Sequence, residues 1–307
     1  MNKEYLQTFV KKTILFFKNI FADTPVQKWK VTNWVYAKVY YSAFGKQDQE
    51  VEYQGASMIL PGQDTMIVPS IVGGYFEKIE LDIFRKFIEK SKYFVDVGAN
   101  VGLYTAVALK TNPNINILAF EPVKTNVDYF NKNVAKNSSN KNNVKLINSA
   151  VGSKVGILDL FISSDNSAIH SASKKHSGGE NSSKVKMTTI DSAFKDNKFN
   201  PDIIKIDIEG YDGFAVDGGL KTLGSNKPVL FIEYDPHALT ECGYEPQKLI
   251  KTLFSLYEFR YEFNQKKGRL INLEQESLKK IYANKNLLFC NSKIHHAIVD
   301  KFILENQ

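Results

Sequence analysis

The stretch Tyr93–Thr105 (YFVDVGANVGLYT) limits what this chain can fold into more than any other. An apolar run from Tyr93 to Val97 enters a turn built on Gly98 and Gly102, after which Leu103 to Lys110 carries a helical pattern. That is a strand, a loop and a helix, the unit from which α/β nucleotide-binding sheets are assembled. Glycines let the backbone lie against a ligand at the strand's carboxyl end, and the new helix aims its amides at the same place.

A dinucleotide fingerprint, G-x-G-x-x-G, would seat a pyrophosphate on that helix. Here Asp96 and Asn100 flank Gly98 instead, and a carboxylate at a strand tip repels phosphate and attracts an ammonium group. The turn therefore suits a cationic nucleoside such as S-adenosylmethionine better than NAD.

The alternation that follows fits the same unit. Asn116–Phe120 reads as a second strand ending at Glu121-Pro122, Lys124–Asn137 as a helix, and Val144–Val151 as a third strand, giving the βαβαβ order of half a doubly wound sheet. Glu121 lies where α/β nucleotide sites place an acidic residue on ribose hydroxyls. Val155–Ile162 reads as a strand. The polar segment 163–184, rich in serine, lysine and glycine, then reads as a loop, either a lid or plain disorder. It holds His170 and His176, which show no carboxylate or cysteine at metal spacing and read as loop residues first, substrate contacts second.

Val185–Ile190 resumes as a strand, with Asp191 as a helix cap. Pro201–Gly210 (PDIIKIDIEG) reads as a buried parallel strand with Asp207, Glu209 and Gly210 at its carboxyl end, where open sheets meet ligands. Tyr211–Leu223 reads as one helix weakened by Gly213 and Gly218-Gly219, Pro228–Tyr234 as a strand ending near Glu233, and Pro246–Tyr257 as a helix. Glu258–Leu273 reads as two strands around Lys266-Lys267-Gly268, Glu274–Tyr282 as a helix, and Asn286–Cys290 as a closing antiparallel strand. His295-His296 has no evident partner in the sequence.

Before Tyr93 the chain reads as an N-terminal extension or cap. Leu6, Phe9, Val10, Phe17, Ile20 and Phe21 recur at near-helical spacing among Lys3, Lys11, Lys12 and Lys18. Such a 1–21 helix suits packing on its own domain first, and an anionic membrane surface or a partner subunit second. Trp29–Phe44 is rich in β-branched and aromatic residues, Glu50–Ser70 reads as short strands or hairpins, and Phe76–Lys90 as a helix. The expected division is residues 1–90 as helix and cap and 91–307 as the catalytic domain, with the polar insertion at 163–184.

Composition excludes several classes. The 307 residues are 43% apolar and 24% charged, an ordinary folded composition. The +7 net charge comes from scattered lysines without an arginine-rich run or aromatic RNA-binding signature, so no nucleic-acid partner is expected. Cys242 and Cys290 are too few for a disulfide framework or a zinc site, no secretory signal is evident and no apolar run spans a bilayer. A cytoplasmic protein, peripheral at a membrane surface at most, is expected.

Six motifs together resemble the FkbM family of class I S-adenosylmethionine-dependent methyltransferases. They are Val95–Thr105 (VDVGANVGLYT), Ala119–Pro122 (AFEP), Asn148–Gly152 (NSAVG), Thr188–Asp191 (TTID), Ile204–Gly210 (IKIDIEG) and Phe231–Glu233 (FIE), in family order. The resemblance implies a Rossmann-like, doubly wound, seven-stranded sheet with its last strand antiparallel, and methyl transfer, commonly to oxygen. By position it implies that Asp96, Gly98, Asn100 and Gly102 hold the methionine part of the cofactor and Glu121, with Pro122 beside it, the ribose. Ser149 and Ala150 would lie near the adenine and Asp207 near the methyl group.

A hydroxyl acceptor, on a sugar, glycolipid or small natural product, needs a base to take its proton as the methyl arrives in line. Glu209 is the preferred base and Asp207 the next, with Glu233 and His237 behind them; a helix-capping role for Glu209 competes. No metal ligands are assigned, because Asp207 and Glu209 have no definite third partner. The rival readings are a sugar-nucleotide glycosyltransferase with a metal on Asp207 and Glu209, and a non-catalytic membrane-associated module.

Overall fold

A computed structural model describes residues 41, 44–62, 64, 67–138, 143–162, 170–178, 181–197, 200–264, 269–274 and 284–305. The expected 1–21 helix, most of Trp29–Phe44 and nearly all of Glu274–Tyr282 lie outside them. In chain order the strands are β1 (Gln49–Tyr53), β2 (Ala56–Leu60), β3 (Tyr93–Val97), β4 (Asn116–Phe120), β5 (Val144–Ile147), β6 (Ala150–Val151) and β7 (Gly156–Phe161). They continue with β8 (Ser182–Thr188), β9 (Ile203–Ile206), β10 (Val229–Tyr234), β11 (Phe259–Asn264), β12 (Arg269–Asn272) and β13 (Lys285–Cys290).

The main sheet runs β12-β11-β13-β10-β9-β3-β4-β5. β10, β9, β3, β4 and β5 are parallel, and β13 inserts antiparallel between β10 and β11. This is the Rossmann-like α/β arrangement with its last strand reversed. It carries eight strands rather than seven because the second half of the expected hairpin, β12, adds to the edge of β11.

Alternation along the strands sends side chains to opposite faces. Phe94 and Phe231 join one apolar cluster, while Val95, Val97, Ile204, Ile206, Leu230 and Ile232 join the other. The first face is where the N-terminal cap docks. Phe84, from helix Lys78–Ile88, meets Phe94, Tyr104 and Phe231 edge-on at 5.0, 5.0 and 5.6 Å, all four rings being buried. Asn133 and Asn137 of helix Lys124–Asn137 bind the backbone of the β1–β2 hairpin through Ile59 and Ser57.

Several expected elements divide or change type, each for a local reason. Within Glu50–Ser70 the β1–β2 hairpin is followed by helix Ile67–Val72 rather than more strand. The Asp64 carboxylate caps the amides of Ile67 and Val68, and Pro69 sits in the first turn, where its missing N–H costs nothing.

The third strand breaks at Asn148-Ser149, so that Ala150-Val151 pairs with β8 in a separate three-stranded sheet with β7. That pairing also claims residues 182–184 of the expected loop for β8, and Lys174–Ser177 forms a short helix capped by Ser173. The expected Tyr211–Leu223 helix becomes Asp212–Asp217 and Leu220–Asn226. A Cβ on Gly218 would lie 2.1 Å from the Gly152 carbonyl oxygen, so the chain bends there to pack closely. Asp191 caps the second of these helices, through Lys221 and Thr222, rather than its own. His296, far from unpartnered, meets the Tyr261 hydroxyl and stacks on Phe259. Among the described residues no helix is long and apolar enough to cross a membrane.

Candidate active site

From β3 the chain moves outward through β4 to β5, then returns beside β3 as β9 and proceeds the other way to β10. A crevice opens at the carboxyl ends where an α/β sheet reverses direction, and ligands bind there. Two walls line it, one made by the turns after β3 and β4, the other by the turns after β9 and β10.

On the first wall, the Gly98 and Ala99 amides donate to Phe120 O at 3.0 and 2.9 Å, tying the glycine turn to β4. Gly98 has φ +81°, and a Cβ there would stand 2.0 Å from Asp207 O. Only glycine allows the β3 turn to touch the β9 turn. Gly102, at φ +86°, lets helix Leu103–Thr111 approach the Phe130 ring.

Asn100, with φ +51°, donates its backbone N–H to Glu121 Oε2 at 2.9 Å. Glu121 Oε1 accepts from Val123 N at 2.9 Å and Asn126 Nδ2 at 3.4 Å. Burial raises the Glu121 pKa to about 7. The Asn148 amide donates to the Glu121 and Pro122 carbonyls at 2.7 and 3.0 Å, bringing the β5 turn alongside. Ser149 and Ala150 are buried next to it, with the Ser149 hydroxyl committed to backbone carbonyls, principally Lys186 O at 2.8 Å.

Asp96 is 1% exposed, and its Oδ2 accepts from Thr105 Oγ1 at 2.8 Å. Its Oδ1 and the Asn100 Oδ1 are buried and accept none. A buried acceptor without a donor costs about 1–3 kcal/mol, which a ligand donor would recover. These residues fit the ammonium and hydroxyl groups of S-adenosylmethionine.

The second wall carries more than carboxylates. Lys205, register partner of Asp96, buries its ammonium 2.9 Å from Asp207 Oδ2 and 4.6 Å from the centre of the Tyr104 ring. Burial opposes that charge, but Asp207, Glu77 and Asp96 outweigh it and hold the Lys205 pKa above its ordinary value. A buried cation therefore stands among the carboxylates of this wall. A lysine inside the apolar strand Ile203–Ile206 was the available signal, since buried lysines require anionic partners.

Glu209 adopts φ +52° and sends Oε2 to within 2.9 Å of His176 Nε2. Burial raises the Glu209 pKa, and the hydrogen bond to Glu209 raises that of His176. Glu209 does not cap the next helix, which has no side-chain cap, and Asp212, its pKa raised by burial to about 7, accepts the amides of Ile208 and Gly210 in the preceding turn at 3.1 Å each. His176 is thus no unpartnered loop residue. Nothing in its sequence neighbourhood revealed the pairing, because the partner lies 33 residues away.

Carboxylate oxygens of Asp207, Glu209 and Glu233 lie within 4.8 Å of one another. Glu233 Oε1 accepts from Asn284 Nδ2 at 2.6 Å, and its Oε2 is buried without a hydrogen bond. From the cap, Glu77 at φ +44° accepts from the Tyr104 hydroxyl at 2.8 Å and Asn286 Nδ2 at 3.1 Å. Of five non-glycine residues with positive φ among those described, Glu77, Asn100 and Glu209 line this crevice. Backbone strain is therefore concentrated at the site, as where side chains are held for function.

Residues 96–263, more than half the chain, match the model of the methyltransferase FkbM domain. The methyltransferase sdnD of Sordaria araneosa is 33% identical over 73 residues, 24% of this chain and 28% of that protein. The crystal structure of methyltransferase FkbM from Methylobacillus flagellatus KT aligns with a TM-score of 0.42 at 16% identity, covering 65% of this chain and 43% of that one. The O-methyltransferase TomG of Streptomyces achromogenes, involved in tomaymycin synthesis and solved with SAM, aligns at 0.39 and 8% identity over 70% of this chain and 80% of its own. The chain thus spans less than half the length of both sdnD and the FkbM structure.

Proposed function

Since the chain belongs to the methyltransferase FkbM domain family, we propose that it transfers a methyl group from S-adenosylmethionine to a hydroxyl of a sugar, glycolipid or small natural product. The observation that carries this reading is the pair of buried, unsatisfied oxygens on Asp96 and Asn100 beside Glu121, at the point where the sheet reverses.

Bound there, S-adenosylmethionine supplies an electrophilic methyl group on a sulfonium. Asp96 and Asn100 would hold its amino-acid portion, and Glu121 with Pro122 its ribose. Gly98 and Gly102 would provide the close backbone approach, and Ser149 and Ala150 would lie near the adenine. Asp207 is held by Lys205, which reserves it for position and charge rather than proton abstraction. Glu209 takes the acceptor's proton: burial raises its basicity, and His176 fixes its orientation.

Calorimetry with S-adenosylmethionine tests the donor. Binding to the native protein, weakened in a folded Glu121→Ala variant, supports the reading. Absence of heat, with binding instead of a sugar nucleotide and manganese, would replace it with the glycosyltransferase reading. Binding of neither donor would leave the non-catalytic module.

A further inference from the structure

Three side chains beyond the donor crevice converge from two separate segments. His176 comes from the short helix Lys174–Ser177 within the polar segment, and His237 and Glu241 stand four residues apart on helix Pro236–Glu241. One ligand atom from each lies within 4.8 Å of the others. His237 Nε2 is 3.5 Å from Glu241 Oε1, and His176 Nδ1 is 3.7 Å from Glu241 Oε2. Ligands bound tetrahedrally at zinc-like distances are separated by roughly 3.3–3.5 Å, so small rotamer adjustments would close this set on one ion.

Two further observations point to a cation. The Glu241 side chain is only 8% exposed, and neither buried oxygen accepts a hydrogen bond of normal geometry. Lys175 Nζ does reach within 2.8 Å of Oε1, but from a side chain that is 79% exposed, and it leaves Oε2 without a hydrogen bond. A buried carboxylate in this position is better matched by a divalent ion. Secondly, His176 already has its other nitrogen, Nε2, on the Glu209 carboxylate at 2.9 Å. A carboxylate behind a ligating histidine fixes the ring and leaves the opposite nitrogen, here Nδ1, free to coordinate.

We propose that His176, His237 and Glu241 bind one divalent transition-metal ion of the zinc type, with Glu209 orienting His176 from behind. Three protein ligands leave a coordination position for water or for an acceptor oxygen. The ion ties the short helix Lys174–Ser177 to the helix after β10, and so fixes the residue that positions Glu209. Metal binding is read directly in the test below, independently of methyl transfer.

Full-length protein freed of metal by chelation is titrated with zinc chloride by calorimetry and with cobalt chloride by visible absorption. One ion per chain, with the intense bands of tetrahedral cobalt, is expected. His237 is 67% exposed, so His237→Ala should leave the fold intact by circular dichroism while weakening zinc binding by more than about 100-fold. Glu241→Gln should do the same, and Glu209→Gln should weaken binding on the order of 10–100-fold. No binding by the native protein overturns the proposal. So does wild-type affinity in His237→Ala, or binding abolished instead by His296→Ala, which would place the ion at the His295-His296 pair.

Discussion

Asn100 and Glu121 meet across 21 residues of chain, whereas Glu77 and Asn286 meet across 209. The glycine-turn wall is assembled from consecutive strand–loop–helix units, so its residue types stand in a readable order. The opposing wall gathers the cap, the insertion, β9, β10 and the residue before β13 into one polar network. Apart from Lys205, Asp207 and Glu209 at one strand end, its members share no local spacing. Local construction makes donor recognition visible from the sequence, while acceptor handling emerges only when the sheet closes.

The comparison breaks most sharply at Glu209. Glu209→Gln should cut turnover by roughly 10²–10⁴-fold while leaving donor affinity within about threefold, because the two walls do separate jobs. Equal losses in both would show that Glu209 belongs to the donor wall. Single-turnover methylation alongside calorimetry measures the two.

Next in size is Gly98→Ala, which strikes the contact between the walls. With φ +81° and the Asp207 carbonyl 2.0 Å from the added Cβ, the substitution should cost about 3 kcal/mol or more in urea unfolding. Retention of native stability would mean that the turns slide freely past each other.

Glu121→Gln removes a charged acceptor on the donor side alone. A loss of about 10–100-fold in S-adenosylmethionine affinity is expected, corresponding to about 1.5–3 kcal/mol. Ser149→Ala, whose hydroxyl already serves backbone carbonyls, should change affinity by less than about threefold. If the serine substitution proved the more damaging, the assignment of the first wall would need redrawing.

The last test is the pH dependence of stability. Burial holds Glu121 and Asp212 each at about 7, above their ordinary values of 4.5 and 3.8. Between those limits the folded chain binds more protons than the unfolded one, so stability must fall as pH rises. Thermal melts of ligand-free protein should lose about 1–3 kcal/mol between pH of roughly 5 and 8. The slope should be shallower in Glu121→Gln; a rising melting temperature across that range would refute the burial argument.

The parallel sheet, its reversal point and the Asp96–Gly102 turn were legible because apolar runs, glycines and strand-end acids fall at fixed local intervals. The exceptions had tertiary causes. Gly218 bends a helix because a neighbouring carbonyl is packed against it, and Ala150 leaves the main sheet because β8 offers a second partner. His176 is the clearest case. Its sequence surroundings are serines and lysines, and its carboxylate partner is supplied by a strand end that only the folded sheet brings near.

By itself the sequence determined the α/β class, the family motifs and the residues of the glycine-turn wall. Strand periodicity and turn chemistry act over a few residues and are written in the residues themselves. Only the tertiary structure decided that Lys205 neutralises part of the crevice, that Asp212 ties down the amides of the turn holding Glu209, and that His176 holds Glu209. Those outcomes depend on which side chains share a desolvated space, where an unpaired charge must find its counterpart however distant in the chain.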